Sequence, residues 1–326
     1  MWLRFAAFAI VNLFVLTLWA GLLAWLIGRV LTDRFHWSQF LWWIPTPAAL
    51  LVAVFGWLLA FRSARTPRRR RRRMIAWSAC ALALLAQFVL IEHRLLRRAP
   101  PEPATDQALV IAHWNMGLDN RADIPSLMSS IEALNADVLA LTGPPSEVRR
   151  LLHESAATRE GSQRVIDVGT MTLVSRLPII NWRILVATTG MFISQFDMQA
   201  STALGRPVTL FLVDLPSNPR LPRMAMARES RRLLDGIHAP TPDICIGDFN
   251  ITRNSASISA LFPGMSHAFN RAGHGYGATF HRRFPLYHID HVLVNEASGL
   301  RAVRYDIIDH GQSRHCAQKA WIAVKP

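Results

Sequence analysis

Cysteine is scarce in this chain, which has only three among 326 residues: Cys80, Cys245 and Cys316. No two of them are spaced as C-x-x-C, so a zinc site built on paired cysteines is excluded. Three cysteines also cannot supply the paired set of a disulfide-stabilised small domain. The fold must therefore depend on a hydrophobic core, for which 51% hydrophobic residues provide the material.

Acidic residues are almost absent from the first third of the chain. Residues 1–99 contain 14 arginines and two acids, Asp33 and Glu92, for a net charge of +12. Residues 100–326 contain 22 basic residues against 20 acids, for a net charge of +2. The basic excess of the whole chain is therefore no evidence that residues 100–326 bind nucleic acid. Nucleic acid remains an alternative partner, but the charge of this part of the chain does not support it.

Long apolar runs occupy the same N-terminal third. Residues 5–28, 39–60 and 74–92 are almost entirely apolar, although two prolines interrupt the second run. Each run has about 18 residues or more, enough to cross a bilayer core of about 30 Å. A cleaved signal peptide would account for the first run alone. The pattern predicts three transmembrane helices in a membrane anchor that comprises residues 1–98.

Arginines between the second and third runs indicate the orientation of this anchor. They are Arg62, Arg65 and Arg68 to Arg73. By the positive-inside rule this segment is a cytoplasmic loop, and Arg4 places the N-terminus on the same side. Arg94, Arg97 and Arg98 count against this orientation but are outnumbered. We therefore expect a multi-pass protein of a bacterial inner membrane, with its C-terminal domain in the periplasm.

A proline-rich linker at residues 99–104 separates the anchor from a domain with a different pattern, residues 105–326. Short apolar runs in this domain predict strands at Leu109–His113, Asp137–Leu141, Met171–Val174, Ile184–Ala187, Val208–Val213, Ile244–Ile246 and His291–Val294. Helical patterns occupy Ile124–Leu134 and Arg228–Ile237. Strands mixed with helices over this length predict a layered domain, α/β or α+β, with a sheet core.

The most informative stretch is G-D-F-N at residues 247–250, directly after the apolar run Ile244–Ile246. An acid and an amide two residues apart, at the end of a buried strand, can hold a water molecule and a phosphate oxygen together. An Asx-turn that ends the strand is the structural alternative for Asp248 and Asn250.

Six stretches in a fixed order resemble the endonuclease/exonuclease/phosphatase superfamily. They are I-A-H-W-N-M-G (111–117), A-D-V-L-A-L (136–141), V-S-R-L-P-I (174–179), G-D-F-N (247–250), G-Y-G-A-T-F (275–280) and I-D-H-V-L (289–293). The resemblance covers about residues 105–326. It implies an α+β fold, a two-layered β-sandwich flanked by helices, here preceded by the three predicted transmembrane helices.

The resemblance implies hydrolysis of phosphodiester or phosphomonoester bonds with Mg²⁺ or Mn²⁺. Asp248 would orient or deprotonate the attacking water, and Asn250 would donate hydrogen bonds to the phosphate. Asp290 would hold the imidazole of His315, which would stabilise the charge that develops at phosphorus. Asn115 would help to bind phosphate and, together with Asp248, the metal.

Three positions depart from the family pattern. Gly143 stands where the second strand should end in a metal-binding glutamate, and Asp214 stands where a histidine is expected. Arg314 replaces the aspartate that should precede His315. Because Mg²⁺ requires hard oxygen ligands, usually with a carboxylate among them, the metal half of the site should be largely lost.

Three interpretations therefore remain open. The domain is a degenerate member that binds a phosphate-containing ligand without turnover, or it is an active hydrolase with a rearranged site. In the second case Asp214 or Glu147 would supply a substitute carboxylate, or Arg314 would bind phosphate in place of the metal charge. In the third, the membrane part carries the function and the outer domain is a scaffold for envelope partners, which the sequence does not name.

Overall fold

The computed structural model describes residues 2–63, 66–104, 106–117, 123–158, 163–188 and 190–325. The chain divides into two compact units. The first contains residues 1–96 and the short segment 222–224, and the second contains residues 97–221 and 225–326.

The first unit is helical. Its helices are α1 (Trp2–Leu31), α2 (His36–Trp42), α3 (Thr46–Ser63) and α4 (Pro67–Ala86), and a π-helical turn (Gln87–Glu92) continues α4. Arg68 to Arg73, predicted as part of a loop, instead form the first turns of α4. Pro67 suits the first helical position, and the Thr66 hydroxyl accepts a hydrogen bond from the Arg69 N–H at 3.4 Å. Arg65 lies outside the described residues.

Two helical stretches in the described residues are long and apolar enough to cross a membrane, Ala9–Leu31 and Pro67–Glu92. Helices α2 and α3 pass the same test only as a pair, which is bent by 67°. Pro45 and Pro47 explain the bend, since each lacks an N–H and its ring obstructs the preceding helical turn. The predicted second span, residues 39–60, therefore corresponds to a bent helix pair and not to one continuous helix. The described residues contain two candidate spans, or up to three if the bent pair counts as one.

The second unit contains two six-stranded sheets among its described residues. Its strands are β1 (Leu109–Asn115), β2 (Val138–Thr142), β3 (Arg164–Val168), β4 (Met171–Ser175), β5 (Ile179–Thr188), β6 (Met191–Met198), β7 (Val208–Asp214), β8 (Ile244–Asp248), β9 (Met265–His267), β10 (Asp290–Asn295), β11 (Leu300–Ile308) and β12 (Ala317–Val324). Its helices are α5 (Ile124–Leu134), α6 (Ser146–Thr158), α7 (Arg223–Gly236, of which the first two residues are counted in the first unit), α8 (Ala256–Leu261) and α9 (Ala268–Ala272), with a 3₁₀ turn at Glu296–Ser298.

Both sheets are mixed. The first has the strand order β11-β12-β1-β2-β4-β3, and β1 runs parallel to β2 but antiparallel to β12. The second has the order β5-β6-β7-β8-β10-β9, and β8 runs parallel to β7 but antiparallel to β10. The parallel pairs bring the carboxyl ends of β1 and β2 together in one sheet, and those of β7 and β8 together in the other.

The main core lies between the two sheets. Each strand alternates its side chains between two faces, so every second residue points into this core. Along β2, Val138 and Ala140 belong to the inner cluster, whereas Leu139 and Leu141 face outward. The outward residues pack against α5 and α6, and a separate cluster covers the outer face of the second sheet with α7 and α8. The predicted α+β sandwich with flanking helices is confirmed at this level.

The predicted strands with continuous apolar runs all appear, most of them one or a few residues longer than expected. The pattern did not predict β3, β6, β9, β11 or β12. Strand β12 shows the reason, because Gln318 and Lys319 interrupt its apolar pattern and are nevertheless buried. The amide of Gln318 finds its partners on other strands, and the ammonium of Lys319 lies 4.0 Å from Glu102 and over the ring of Trp321. A window of sequence around β12 does not contain the distant partners.

Candidate active site

The alternation of each strand directs polar residues to one end of the core. Leu109 and Ile111 of β1 face the space between the sheets, so Asn115 at the end of the strand faces the same space. Three carboxylates end up there by the same rule: Asp214 after the inward residues of β7, Asp248 after those of β8, and Asp290 before those of β10. The apolar core therefore ends in a polar cluster.

Strand register brings these carboxylates side by side. Asp248 is the register partner of Asp290 on one neighbouring strand and of Asp214 on the other. Gly247 permits this arrangement, since its φ is +147° and a Cβ atom there would lie 1.8 Å from the carbonyl oxygen of Val213. The glycine of the G-D-F-N stretch is thus required by close strand packing.

Asp248 binds the end of β1 and its own loop at the same time. Its Oδ2 accepts a hydrogen bond from the Asn115 amide at 2.8 Å, and its Oδ1 accepts one from the Asn250 N–H at 2.8 Å. The second bond is the Asx-turn that the sequence allowed, and Asn250 adopts a left-handed φ of 49° within it. The Asn250 side chain donates to the carbonyl of Leu215 at 2.7 Å, so it fixes the loop as well.

Asp290 and His315 form a buried carboxylate–imidazole pair. Nδ1 of His315 lies 2.9 Å from one Asp290 oxygen and 3.2 Å from the other. The backbone N–H of His315 donates to the Ser313 hydroxyl at 3.0 Å, and that hydroxyl donates to the carbonyl of Asn115 at 2.5 Å. The loop that carries His315 is thereby bound to the end of β1.

The charges in this cluster shift one another's pKa values. Burial raises the pKa of Asp248, the negative charge of Asp290 raises it further, and His315 opposes both. Burial also works to raise the pKa of Asp290, but the charge and hydrogen bond of His315 outweigh it and leave that pKa lowered. The same pair reverses the effect of burial on His315, whose pKa is raised. The site therefore favours an ion pair between Asp290 and His315. In Asp248, by contrast, the raised pKa favours the protonated carboxyl group.

Residues 112–315 match the sequence model of the endonuclease/exonuclease/phosphatase family, which is more than half of the chain. The chain belongs to this family. The match includes the G-D-F-N stretch and ends at His315, so it spans the whole cluster described above. The family resemblance of the motifs is confirmed.

Solved structures of this family share the fold at low sequence identity. D. rerio TDP2, humanised by 14 mutations, has a TM-score of 0.51 and 16% identity over 67% of this chain and 99% of that one. A family protein from Bacteroides thetaiotaomicron has a TM-score of 0.51 and 15% identity over 66% and 98%. ANGEL2, a 2′,3′-cyclic phosphatase, has a TM-score of 0.50 and 10% identity over 71% and 99%. No curated protein has a significantly similar sequence.

The positions that depart from the family pattern have definite places. Gly143 follows β2 with a φ of +59°, and its N–H donates to the carbonyl of Thr170 at 2.8 Å. Asp214 accepts a hydrogen bond from the Thr170 hydroxyl at 2.6 Å, and burial raises the pKa of its carboxyl. Glu147, the other proposed substitute carboxylate, is exposed on α6 and pairs with Arg150. Asp214, and not Glu147, is therefore next to the cluster.

Arg314 lies on the outer side of His315. Its side chain is exposed and lines a surface cavity with Arg282 and Arg283, and its positive charge counteracts the raised pKa of His315. In the described residues the predicted site residues thus divide into a buried cluster and a basic outer rim that contains Arg314.

A second set of buried polar residues supports the cluster and was not predicted. With the Gln318 amide oriented so that donors meet acceptors, its oxygen accepts from Nδ1 of His113 and from the His291 N–H, both at 3.1 Å. Nε2 of His113 then accepts from the Thr142 hydroxyl at 3.0 Å. Burial lowers the pKa of His113 to about 4, which agrees with a neutral ring. The sequence did contain a signal for His113, because it is a polar residue on the inward face of a predicted strand and therefore needs a buried hydrogen-bond partner.

One group of acidic or histidine side chains in the described residues is compact enough to hold a metal ion. Asp248, Asp290 and His315 each offer one ligand atom, and these atoms all lie within 4.8 Å of one another. Two carboxylates and an imidazole form a donor set that suits Mn²⁺ and, with additional water ligands, Mg²⁺.

Proposed function

We propose that this protein is a phosphoesterase that hydrolyses phosphodiester or phosphomonoester bonds. The observation that carries the proposal is the convergence of Asp248, Asn115, Asp290 and His315 at one end of the inter-sheet core, with hydrogen bonds of 2.8 and 2.9 Å between them. These side chains come from separate strands and loops, so local chain folding alone does not explain their convergence.

Each residue has a role that follows from its contacts. Asp248, with its raised pKa, is suited to accept a proton from an attacking water. Asn115 orients this carboxylate through its amide at 2.8 Å. His315 is held cationic by Asp290 and would stabilise the negative charge that develops on the phosphoryl oxygens. Asn250 would keep the Asp248 loop in place and offer its remaining amide hydrogen to the phosphate.

A divalent cation, Mg²⁺ or Mn²⁺, fits the carboxylates of Asp248 and Asp290, which would hold it. His315 would join them as a ligand only as a neutral ring, because a protonated imidazole has no free lone pair. When bound, the cation would polarise the phosphoryl oxygen and lower the pKa of a water molecule. Asp214 would add a further carboxylate, since it is the register partner of Asp248. Gly143 and Arg314 supply no carboxylate, so the ligand set would differ from the one that the family resemblance implies.

We also propose that residues 1–98 anchor the protein in a membrane and that residues 99–104 link this anchor to the phosphoesterase domain, 105–326. The two candidate spans, and the third if the bent pair crosses, support the anchor. The arginines at 62 and 68–73 support a cytoplasmic position for that end of the helices. The domain would then face the periplasm of a bacterial inner membrane. Alkaline phosphatase fused after residue 326 should be active in this topology, and a cytoplasmic reporter at the same position should not.

A second candidate function is binding of a phosphate ligand without turnover, as part of an envelope scaffold. Gly143 and Arg314 favour it, because both replace carboxylates that the family resemblance assigns to the metal. This candidate predicts phosphate affinity that does not depend on a metal ion and no hydrolysis above background.

The test uses the full-length protein in detergent with two chromogenic substrates, a phosphodiester and a phosphomonoester. Each is incubated with Mg²⁺, Mn²⁺ or EDTA. Asp248→Asn removes the proposed base, and Asp106→Asn, at an exposed position, is the matched control. Activity that EDTA and Asp248→Asn abolish supports a metal phosphoesterase. Activity that survives EDTA but not Asp248→Asn indicates that Arg314 replaces the metal charge. Absence of hydrolysis under all conditions contradicts the proposal.

A further inference from the structure

A basic cavity adjoins the candidate active site. It has a volume of about 470 Å³, within the roughly 300–1,000 Å³ typical of small-molecule sites. Its described lining includes Met116, Gly117, Arg282, Arg283, Ser313 and Arg314. Met116 and Gly117 follow Asn115 directly, and Ser313 and Arg314 directly precede His315, so the cavity begins where the catalytic cluster ends.

One of its arginines is part of the cavity wall. The side-chain Nε of Arg282 donates to the carbonyl of Ser313 at 3.0 Å, and the backbone N–H of Arg282 donates to the carbonyl of Arg314 at 2.7 Å. Its guanidinium also lies 3.6 Å from the carboxylate of Asp309. These contacts hold the loop of residues 281–286 against the segment that carries His315.

The other two arginines are available to a ligand. Arg283 and Arg314 are exposed, and neither has an ion pair within 4.0 Å among the described residues. His281 lines the same wall, and none of the described residues that line the cavity is acidic. Cations placed around one concavity repel each other, and a multivalent anion relieves that repulsion while it accepts their hydrogen bonds.

We propose that this cavity binds a second anionic group of the substrate, a phosphate or diphosphate next to the ester that is cleaved. The inference rests on the proposed function and narrows its substrate class. Arg283 and Arg314 would each contact this group through charge-assisted hydrogen bonds, and Arg282 would hold the wall in shape. Substrates with one phosphate and no further anion would fill the catalytic cluster and leave this subsite unused.

Inorganic pyrophosphate is the simplest probe with two adjacent phosphates, and inorganic phosphate is its one-phosphate counterpart. Calorimetric titration of the full-length protein should show pyrophosphate binding at least about tenfold tighter than phosphate. Arg283→Gln with Arg314→Gln should remove this preference, because glutamine keeps the polar contact and loses the charge. Arg164→Gln is the matched control, since Arg164 is exposed at the opposite end of the first sheet.

Equal affinity for pyrophosphate in the double variant and in the wild type would overturn the proposal. The titration is independent of turnover, so it separates the two ideas. Pyrophosphate preference in a protein that hydrolyses nothing would support the subsite and contradict the proposed function. Hydrolysis of a simple chromogenic ester by a protein that does not prefer pyrophosphate to phosphate would support the proposed function and contradict the subsite.

The second phosphate could belong to a soluble ester or to a lipid headgroup, and two binding assays distinguish these sources. In one, the wild type and double variant are titrated with a soluble bisphosphate. In the other, the proteins are reconstituted in bilayers of phosphatidylcholine with or without phosphatidylinositol bisphosphate. Loss of binding in the double variant in either assay supports the subsite and names its source. No difference between variant and wild type in both assays overturns it.

Discussion

Nδ1 of His315 lies 2.9 Å from Oδ2 of Asp290, and both side chains are buried at the end of the inter-sheet core. The carboxylate fixes the orientation of the ring and favours its protonated form. A histidine in such a pair can place positive charge beside a phosphate without competition from water.

Asp290→Asn should reduce hydrolysis about a hundredfold or more, because the amide can keep the hydrogen bond to His315 but cannot stabilise its charge. The double variant with His315→Ala should be little worse than either single variant, since the two residues act as a unit. Values of kcat/KM for the three variants, with Asp106→Asn as control, check this. Additive losses would show that the pair does not work as one.

Mn²⁺ or Mg²⁺ should raise the melting temperature of the full-length protein, because an ion that binds only the folded state stabilises it, by about 2.7 kcal/mol at a hundred times its dissociation constant. Asp248→Asn should abolish the shift and EDTA should reverse it. Differential scanning calorimetry measures both. An undiminished shift in Asp248→Asn would place the ion away from this cluster.

Gly143→Glu should strengthen metal binding by adding the carboxylate that the family resemblance expects after β2. The φ of +59° at this position makes any side chain unfavourable, at a cost of about 1 kcal/mol. Gly143→Gln has the same backbone strain and no charge, so it is the control. The metal-induced change in melting temperature should be larger in the glutamate variant alone. Identical changes in both variants would contradict a role for this position in metal binding.

Gly247→Ala should lower the free energy of unfolding by about 2–5 kcal/mol, through overpacking together with backbone strain. A Cβ at position 247 would lie 1.8 Å from the Val213 carbonyl oxygen and would separate β7 from β8. Gly236→Ala is the control, because a Cβ there meets nothing within 4 Å. Thermal unfolding of the two variants should differ clearly. Comparable stabilities would mean that the close strand approach is not required.

Acid should destabilise the second unit through its buried histidines. Burial lowers the pKa of His291 to about 4 and that of His288 well below 6.5, and the charge of Arg253 lowers both further. The folded state therefore binds fewer protons than the unfolded state. Stability is fully present above pH 6.5 and is lost as pH falls, by about 1.4 kcal/mol per histidine for each pH unit.

Melting temperatures measured from about pH 7 to about pH 5 check this dependence. His291→Gln should flatten the curve below pH 6.5, and His238→Gln, at an exposed position, should leave it unchanged. An equally steep curve in His291→Gln would show that other groups cause the acid sensitivity.

Much of the domain was predictable from the chain itself. Apolar runs such as Leu109–His113 and Ile244–Ile246 identified strands because buried strands must be apolar on their inner face. The order of the motifs predicted the family and placed Asp248, Asp290 and His315 among the site residues. The second apolar run was predicted to be one transmembrane helix, although Pro45 and Pro47 interrupt it, and the bend of 67° was not predicted.

Other features could not be read from any window of sequence. Strand β12 went unpredicted because the partners of the Gln318 amide are on other strands, and the acid closest to Lys319 is Glu102, more than 200 residues earlier. The basic cavity was not predicted from the sequence either. Arg283 and Arg314 are 31 positions apart, and they line one cavity only because the 281–286 loop packs on the segment that carries His315.

The sequence by itself determined which face of each strand points into the core and which polar residues stand at the strand ends. Side chains alternate between the two faces of a strand, and the face that lines the core must be apolar. The tertiary structure alone decided which of these ends meet. Asn115 and Asp248 are 133 residues apart in the chain, yet their side chains are hydrogen-bonded at 2.8 Å. That contact depends on the strand order within each sheet and on the stacking of the two sheets, which local periodicity does not encode.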